Sequence, residues 1–395
     1  MNLAKRAFAC TAVAICSAAA AAAPVVEIDS EHMAVMGVTT ALTVAHHAPT
    51  FHLFLTQRPR DFTRLVLTNL NANTSFEALS GSPSGVTLPC QISGTLTASM
   101  KQPRLLRLTW DDCEFPLHGT PLTLDGPGEV LLLADSLEPT TVGSIRFGNS
   151  DSDLVQTGGE DFPEYSIRET YRRNLRISGV IPLAEFHYPG TETPFAYGIK
   201  GFLDETVEYT YPNEEQPPAR YNYLYTAENL EYAGVNRISD DWTTMYEELR
   251  VLFGKLTFQR DEGPFYGISS ESEEYEGLRL TRLQLPDYSL ETTIDGRVDR
   301  VYNRWAGQGC VNGKFAFRTR APMKHDLNAW NQFGMGELLI NESTRARFYS
   351  AENAPPTLPA PVNGMLLNLD VKNVGTFNYD APSANDAVRP IARCM

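Results

Sequence analysis

Between Cys90 and Cys113 the chain keeps a strict alternation. Ile92, Leu96, Ala98 and Met100 fall on even positions with Thr95, Thr97 and Ser99 between them, and Leu106, Leu108 and Trp110 alternate with Arg107 and Thr109. A period of two marks a strand with one buried face. With Lys101 to Leu105 as the connection, the two runs form a hairpin in which Met100 faces Leu106 and Leu96 faces Trp110. Asp111 and Asp112 shift the phase, so Cys113 leaves the apolar face unless a bulge intervenes. If the open end curls, Cys90 and Cys113 come within the short reach of a disulfide. Variants of this unit recur along the chain. They predict an all-β fold, mostly antiparallel successive hairpins forming an elongated sheet or β-sandwich.

The N-terminus predicts the compartment. Lys5 and Arg6 precede the apolar run Ala7 to Ala20, and Ala18 to Ala23 offers small-residue cleavage sites. That is the pattern of a secretory signal peptide over residues 1–23, too short for a spanning helix. Ile15 stands before Cys16 where a lipoprotein signal wants a small residue. Cleavage removes two cations and no acid, so the formal charge moves from -15 to -17. Such a surface repels nucleic acid and anionic headgroups. No later stretch is apolar for long enough to span a membrane. The acidic and proline-rich loops, with the ending Pro390 to Met395, speak against an outer-membrane barrel. The expectation is an exported protein, periplasmic or secreted, with residues 24–395 as a single large β-rich domain divisible into parts 24–157 and 158–395. Cys90, Cys113, Cys310 and Cys394 remain in it and allow three pairings, of which Cys90–Cys113 with Cys310–Cys394 is favoured.

Along the chain, Met36 to Val44, Phe51 to Thr56 and Phe62 to Leu70 read as short strands, broken at 45–49 and 57–60. Gly128 to Ala134 and Val142 to Phe147 read as strands, and Asn149 to Phe162 as a polar loop. The pattern N-L-x-apolar-x-G-V occurs at Asn174–Val180 and again at Asn229–Val235, with a weaker echo at Tyr275–Leu280. Gly254, Gly296, Gly313 and Gly336 each read as opening a strand, giving a loose repeat of hairpins rather than a solenoid period. Ser239 can cap a helix carrying Trp242, Met245, Tyr246 and Leu249 on one face, although a strand reading of the same residues is nearly as good. The stretch 354–361 is an extended, proline-rich loop.

Three pieces of the last third, Asp295-Gly296, Cys310 to Thr319 and Gly336 to Asn341 with Ala346-Arg-Phe348, carry a resemblance. Together with the paired-cysteine hairpin, they resemble secreted or lipoprotein-like β-sheet proteins of Gram-negative bacteria. The resemblance implies a compartment and a β-sheet fold. It implies no catalytic residue.

The most suggestive constellation is a tyrosine stripe. Tyr209 and Tyr211 share one strand and Tyr221, Tyr223 and Tyr225 the next, so period two puts each set on one face. Five phenols make either a packed inward face or an amphipathic platform for sugar rings or a partner's apolar surface. The acids Asp261, Glu262, Glu271, Glu273, Glu274 and Glu276 read as a solvated loop without EF-hand spacing. Asp151 and Asp153 read the same way. His46, His47 and His52 read as exposed turn histidines, with no HExxH or CxxC beside them, so no metal ligand set and no cofactor is expected. Asp204 and Glu208 share a strand face, and Asp240-Asp241 are adjacent. A glycosidase needs two carboxylates across a cleft, which spacing alone does not supply. No serine, cysteine or histidine pairs with a base, so no catalytic residue is assigned. The expected role is non-catalytic, a β-surface offered to a glycan or an envelope protein. A glycan-active hydrolase and a purely structural component are the alternatives.

Overall fold

The computed structural model describes residues 24–82, 84–117, 120–183, 192–211, 218–241, 243–261, 267–303, 311–326 and 333–382. The expected signal segment and the second cysteine pair, Cys310 and Cys394, lie outside these residues. Two helices come first, α1 (Glu31–Asn73) and α2 (Phe76–Gly81). The strands are β1 (Val86–Pro89), β2 (Ser93–Gln102), β3 (Leu105–Leu117), β4 (Thr120–Leu132), β5 (Thr141–Phe147), β6 (Leu154–Asp161), β7 (Ser166–Pro182), β8 (Glu192–Thr210), β9 (Ala219–Ile238), β10 (Met245–Asp261), β11 (Ile268–Gln284), β12 (Ser289–Asn303), β13 (Val311–Asp326), β14 (Phe333–Ile340), β15 (Thr344–Ser350), β16 (Met365–Val371) and β17 (Gly375–Ala381). All belong to one 17-stranded antiparallel sheet of successive hairpins. The chain departs from plain up-and-down order where β4 pairs with both β5 and β6, and both of those pair with β7.

The first hairpin forms in the expected register, with Leu96 opposite Trp110. Asp112, at φ 45°, is the bulge that restores the phase. Cys113 is therefore fully buried and bonded to Cys90.

Residues 36–70 correct the sequence reading. Met36–Val44, Phe51–Thr56 and Phe62–Leu70 are not strands but parts of one 43-residue helix, capped by Ser30, whose hydroxyl accepts from the Met33 N–H. Two signals misled. Residues 34–45 are buried almost all round, which erases the 3.6-residue stripe of an amphipathic helix. Pro49 and Pro59 read as breakers, yet the helix runs through both. A proline removes the N–H that would bond the carbonyl four residues back. At Pro49 that carbonyl belongs to Ala45, and the Arg282 guanidinium of β11 donates to it at 2.8 Å. The tertiary structure supplies the bond that the helix lost.

The helix lies across the strands and meets them in reverse chain order. Gly37 abuts Ile340 of β14 and Phe315 of β13. Phe51 packs on Phe258 of β10 and Tyr225 of β9. His52 reaches Tyr197 of β8, Arg60 donates to the Pro182 carbonyl of β7, and Phe62 meets Phe147 of β5. At 1.5 Å per residue it is roughly 65 Å long, enough to pass about ten strands spaced at about 4.8 Å.

A row of bulges bends the sheet around it. Asn229 (φ 50°) and Gly277 (φ 59°) interrupt the registers of β9 with β10 and of β11 with β12. Each faces a glycine on the next strand. Gly254 holds φ +116°, and a Cβ there would lie 2.4 Å from the Asn229 carbonyl oxygen; Gly296 stands in the same relation to Gly277. Gly201 likewise meets Asn174. The N-L-x-apolar-x-G-V repeat thus marks this crease, as a bulge at Asn229 and as the close approach to Gly201 at Asn174, and the glycines read as strand openers at Gly254 and Gly296 sit in mid-strand along it. The result is a trough holding α1. Two smaller readings are also resolved. Part of the Asn149–Phe162 loop is β6, and of the two readings after Ser239 the strand holds: a turn, with the Ser239 hydroxyl accepting from the Thr244 N–H, leads into β10, which carries Met245, Tyr246 and Leu249. Trp242 lies outside the described residues.

Candidate functional site

From His46 onward the trough opens along one side of α1. His46, Thr50, Gln57 and Thr68 are exposed there, and the inner faces of β7 to β11 continue past the helix. The tyrosine stripe sits on this inner face. Its root is core: Tyr225 is buried between Phe51, Phe54 and Phe258. Its outer part is half-exposed. Tyr223 stacks with Phe258 at 6.5 Å, and Tyr209 meets Tyr221 edge-on at 5.7 Å. Val207, Tyr209, Tyr211, Tyr221 and Tyr223 line a hollow of 170 Å³. Enclosing small-molecule sites run to about 300–1,000 Å³, so this one suits a single ring-sized group of a longer partner. The stripe is thus packed inward at Tyr225 and half-exposed at Tyr209, Tyr211, Tyr221 and Tyr223.

Sequence reasoning missed Tyr165, whose ring lies 6.1 Å from Tyr209 and 6.5 Å from Tyr211 and stacks on Phe162. Its signal was weak because it stands alone between the stretch read as a loop, Asn149 to Phe162, and the start of β7. Two carboxylates also went unnoticed. Glu169 and Glu205 project from β7 and β8 beside the hollow, and the Tyr171 hydroxyl donates to Glu169 at 3.1 Å. Burial raises the Glu205 carboxyl above its usual range; a hydrogen bond from Tyr171 opposes this and the nearby Glu169 charge adds to it.

The expected carboxylate pairs are elsewhere. Asp204 and Glu208 do share a face, but it is the outer one, where they pair with Arg172 and Arg220. Asp241 caps the Ser239 turn, and hydrogen bonds from Ser239 and Thr243 hold it at about 2. Asp153 pairs with Arg172, and Asp151 belongs to the Asn149 turn. None of these faces the trough.

The histidine and acid-loop readings are corrected together. His46, His47 and His52 lie on a helix, not in a turn. His52 is buried against Tyr197, 2.6 Å away, and desolvation lowers it to about 3. Glu271 and Glu273 are not loop residues but inward positions of β11, whereas Glu274 and Glu276 face outward. Glu262 lies outside the described residues. His47 comes down on the inward pair: its Nδ1 is 3.4 Å from Glu273 Oε1 and 3.6 Å from Glu271 Oε1. The Arg300 Nε donates to Glu271, and the Tyr275 hydroxyl to the other oxygen of Glu273. Burial opposes charge on Glu273, but His47, Arg300 and Tyr275 outweigh it and hold it at about 2. Burial likewise works against charge on His47, and Glu273 and Glu271 overcome it and raise its pKa. Among the described residues, His47, Glu271 and Glu273 are the group whose ligand atoms converge as a metal site requires, all within 4.8 Å.

No family model matches this chain, and no curated protein or solved structure matches it either.

Proposed function

We propose that this is an exported, non-catalytic β-protein of a Gram-negative cell envelope or its surroundings, which uses the open side of its trough to hold a glycan. One observation carries the reading. Tyr209, Tyr211, Tyr221 and Tyr223 converge on a hollow that the helix leaves uncovered. Flat phenol faces bind the C–H faces of sugar rings while their hydroxyls stay wet. The neighbouring Glu169 and Glu205, with a formal charge of -15 over the chain, favour a neutral or amino sugar over a sulfated or phosphorylated one. The Cys90–Cys113 bridge suits an oxidising compartment.

Calorimetry with neutral, amino and sulfated oligosaccharides tests the reading. The expected result is binding to one of the first two, lost in Tyr209→Ala/Tyr221→Ala and kept in Tyr225→Phe, since Tyr225 is core. Failure of every oligosaccharide would sink the glycan and leave an envelope protein as the partner to seek.

A second reading, glycan hydrolysis, draws on the raised carboxyl of Glu205 beside Glu169. Two neighbouring carboxyls, one of them raised by burial, are an element of glycosidase sites. Turnover of a bound oligosaccharide that Glu205→Gln abolishes would favour it.

A further inference from the structure

We infer that His47, Glu271 and Glu273 form a binding site for a divalent transition metal of the zinc class, joining α1 to β11. The chain offers these residues from two elements far apart in sequence, and neither stretch alone has ligand spacing. The fold supplies the spacing. Zinc holds nitrogen and oxygen donors at about 2.0–2.2 Å in a tetrahedron, which sets neighbouring donors about 3.3–3.5 Å apart. The His47 Nδ1 lies 3.4 Å from one carboxylate oxygen and 3.6 Å from the other.

A second observation is the unmet hydrogen-bonding capacity of these buried donors. Glu273 is 1% exposed, yet its Oε1 makes no hydrogen bond and has only ion-pair contacts, to His47 at 3.4 Å and to the Arg300 Nε at 3.6 Å, and the buried Nδ1 of His47 makes no hydrogen bond either. Buried polar atoms are nearly always satisfied, and these two point at one another across a gap too long for a good hydrogen bond. An ion between them would satisfy both.

Charge and donor type narrow the class. Arg300 neutralises one of the two carboxylates, which leaves one net negative charge and an imidazole nitrogen that the cation takes by displacing its proton. Calcium and magnesium want six or more oxygens and are poorly served by three donors that include a nitrogen. Imidazole with carboxylate suits zinc and its neighbours. The side chain of His47 is 23% exposed at the open side, so the ion has an entry path and a fourth position for water. Tyr275, which donates to the far oxygen of Glu273, is a positioning residue in this arrangement.

The test is independent of the tyrosine hollow. The purified protein, stripped with a chelator, is titrated with Zn²⁺ by calorimetry. One equivalent is expected to bind and to raise the melting temperature. His47→Gln and Glu273→Gln are expected to weaken binding about a hundredfold and Tyr275→Phe about tenfold, the span typical of disturbed ligand shells. His46→Gln and Tyr209→Ala/Tyr221→Ala should leave it unchanged. Should His47→Gln fail to fold, X-ray absorption of the unaltered protein with one equivalent of Zn²⁺ decides: one imidazole among oxygen ligands supports the site. No saturable uptake, uptake that survives His47→Gln, a preference for Ca²⁺ or Mg²⁺, or a zinc shell without imidazole would each overturn it, and the four groups would then be an ion-pair cluster only.

Discussion

The two halves of α1 have the same backbone and opposite surroundings. From Ala34 to Ala45 nearly every side chain is buried, and the chain admits Gly37 because β13 and β14 press on it there. From His46 to Leu70 only one side is buried, through Leu55, Phe62 and Val66, while His46, Thr50, Gln57 and Thr68 face solvent. The first half keeps the Tyr379–Glu31 hydrogen bond at its start, while the tyrosine hollow and the His47 cluster both lie along the second half. A sheath closed all round can contribute stability and nothing else. A sheath open on one side leaves inward-facing residues beside water, and that is where the tyrosine hollow and the His47 cluster occur.

Matched substitutions sharpen this contrast. Leu42, 5% exposed in the closed half, and Leu53, half-buried in the open half, are the same residue on the same helix. Leu42→Ala should destabilise by about 4 kcal/mol and Leu53→Ala by about 1 kcal/mol, read by urea unfolding, because cavity cost grows with enclosure. Equal losses would mean that the second half is covered after all. The Cys90–Cys113 bridge comes next. It ties down the β2–β3 hairpin, whose side chains belong to the same core as α1. Replacing both cysteines by serine should cost about 3 kcal/mol by the loop-entropy argument.

A third effect is set by pH. Burial lowers His52 to about 3 from an ordinary value of 6.5. Between those values the unfolded chain binds the proton and the folded one does not, so stability rises with pH across this window and is lost as pH falls through it. At pH 5 the loss should be about 2 kcal/mol, at about 1.4 kcal/mol per pH unit. His52→Leu should remove this step from the melting profile. Glu273 acts in an overlapping, more acidic window, since its folded value is about 2 and its stabilising charge is lost as pH falls from about 4.5 toward that value. The smallest effect is expected at Thr50, exposed on the open side, where its hydroxyl only returns to the His46 carbonyl. Thr50→Ala should change stability by less than about 0.5 kcal/mol, and a larger loss would mean that something covers this side in solution.

The sheet was legible in detail. Alternation placed Leu96 against Trp110, and the phase slip at Asp111-Asp112 marked a bulge, because strand periodicity is local and each residue declares its face through its neighbours two away. The repeat at Asn174 and Asn229 was visible too, though its meaning as a crease needed the paired strands. The stripe from Tyr209 to Tyr225 was placed on one face correctly. What could not be read was how far along it the helix would reach.

The sequence by itself determined the all-β hairpin character and the register of the Cys90–Cys113 hairpin, since these depend on contacts near in the chain. Only the tertiary structure decided that residues 31–73 are helical. A segment enclosed by a trough has no solvent face to impose a period, and the bond missing at Pro49 is supplied by Arg282 from β11. Only the tertiary structure, too, brought His47 against Glu271 and Glu273. That meeting depends on where a roughly 65 Å helix crosses the strands, and no local pattern records it.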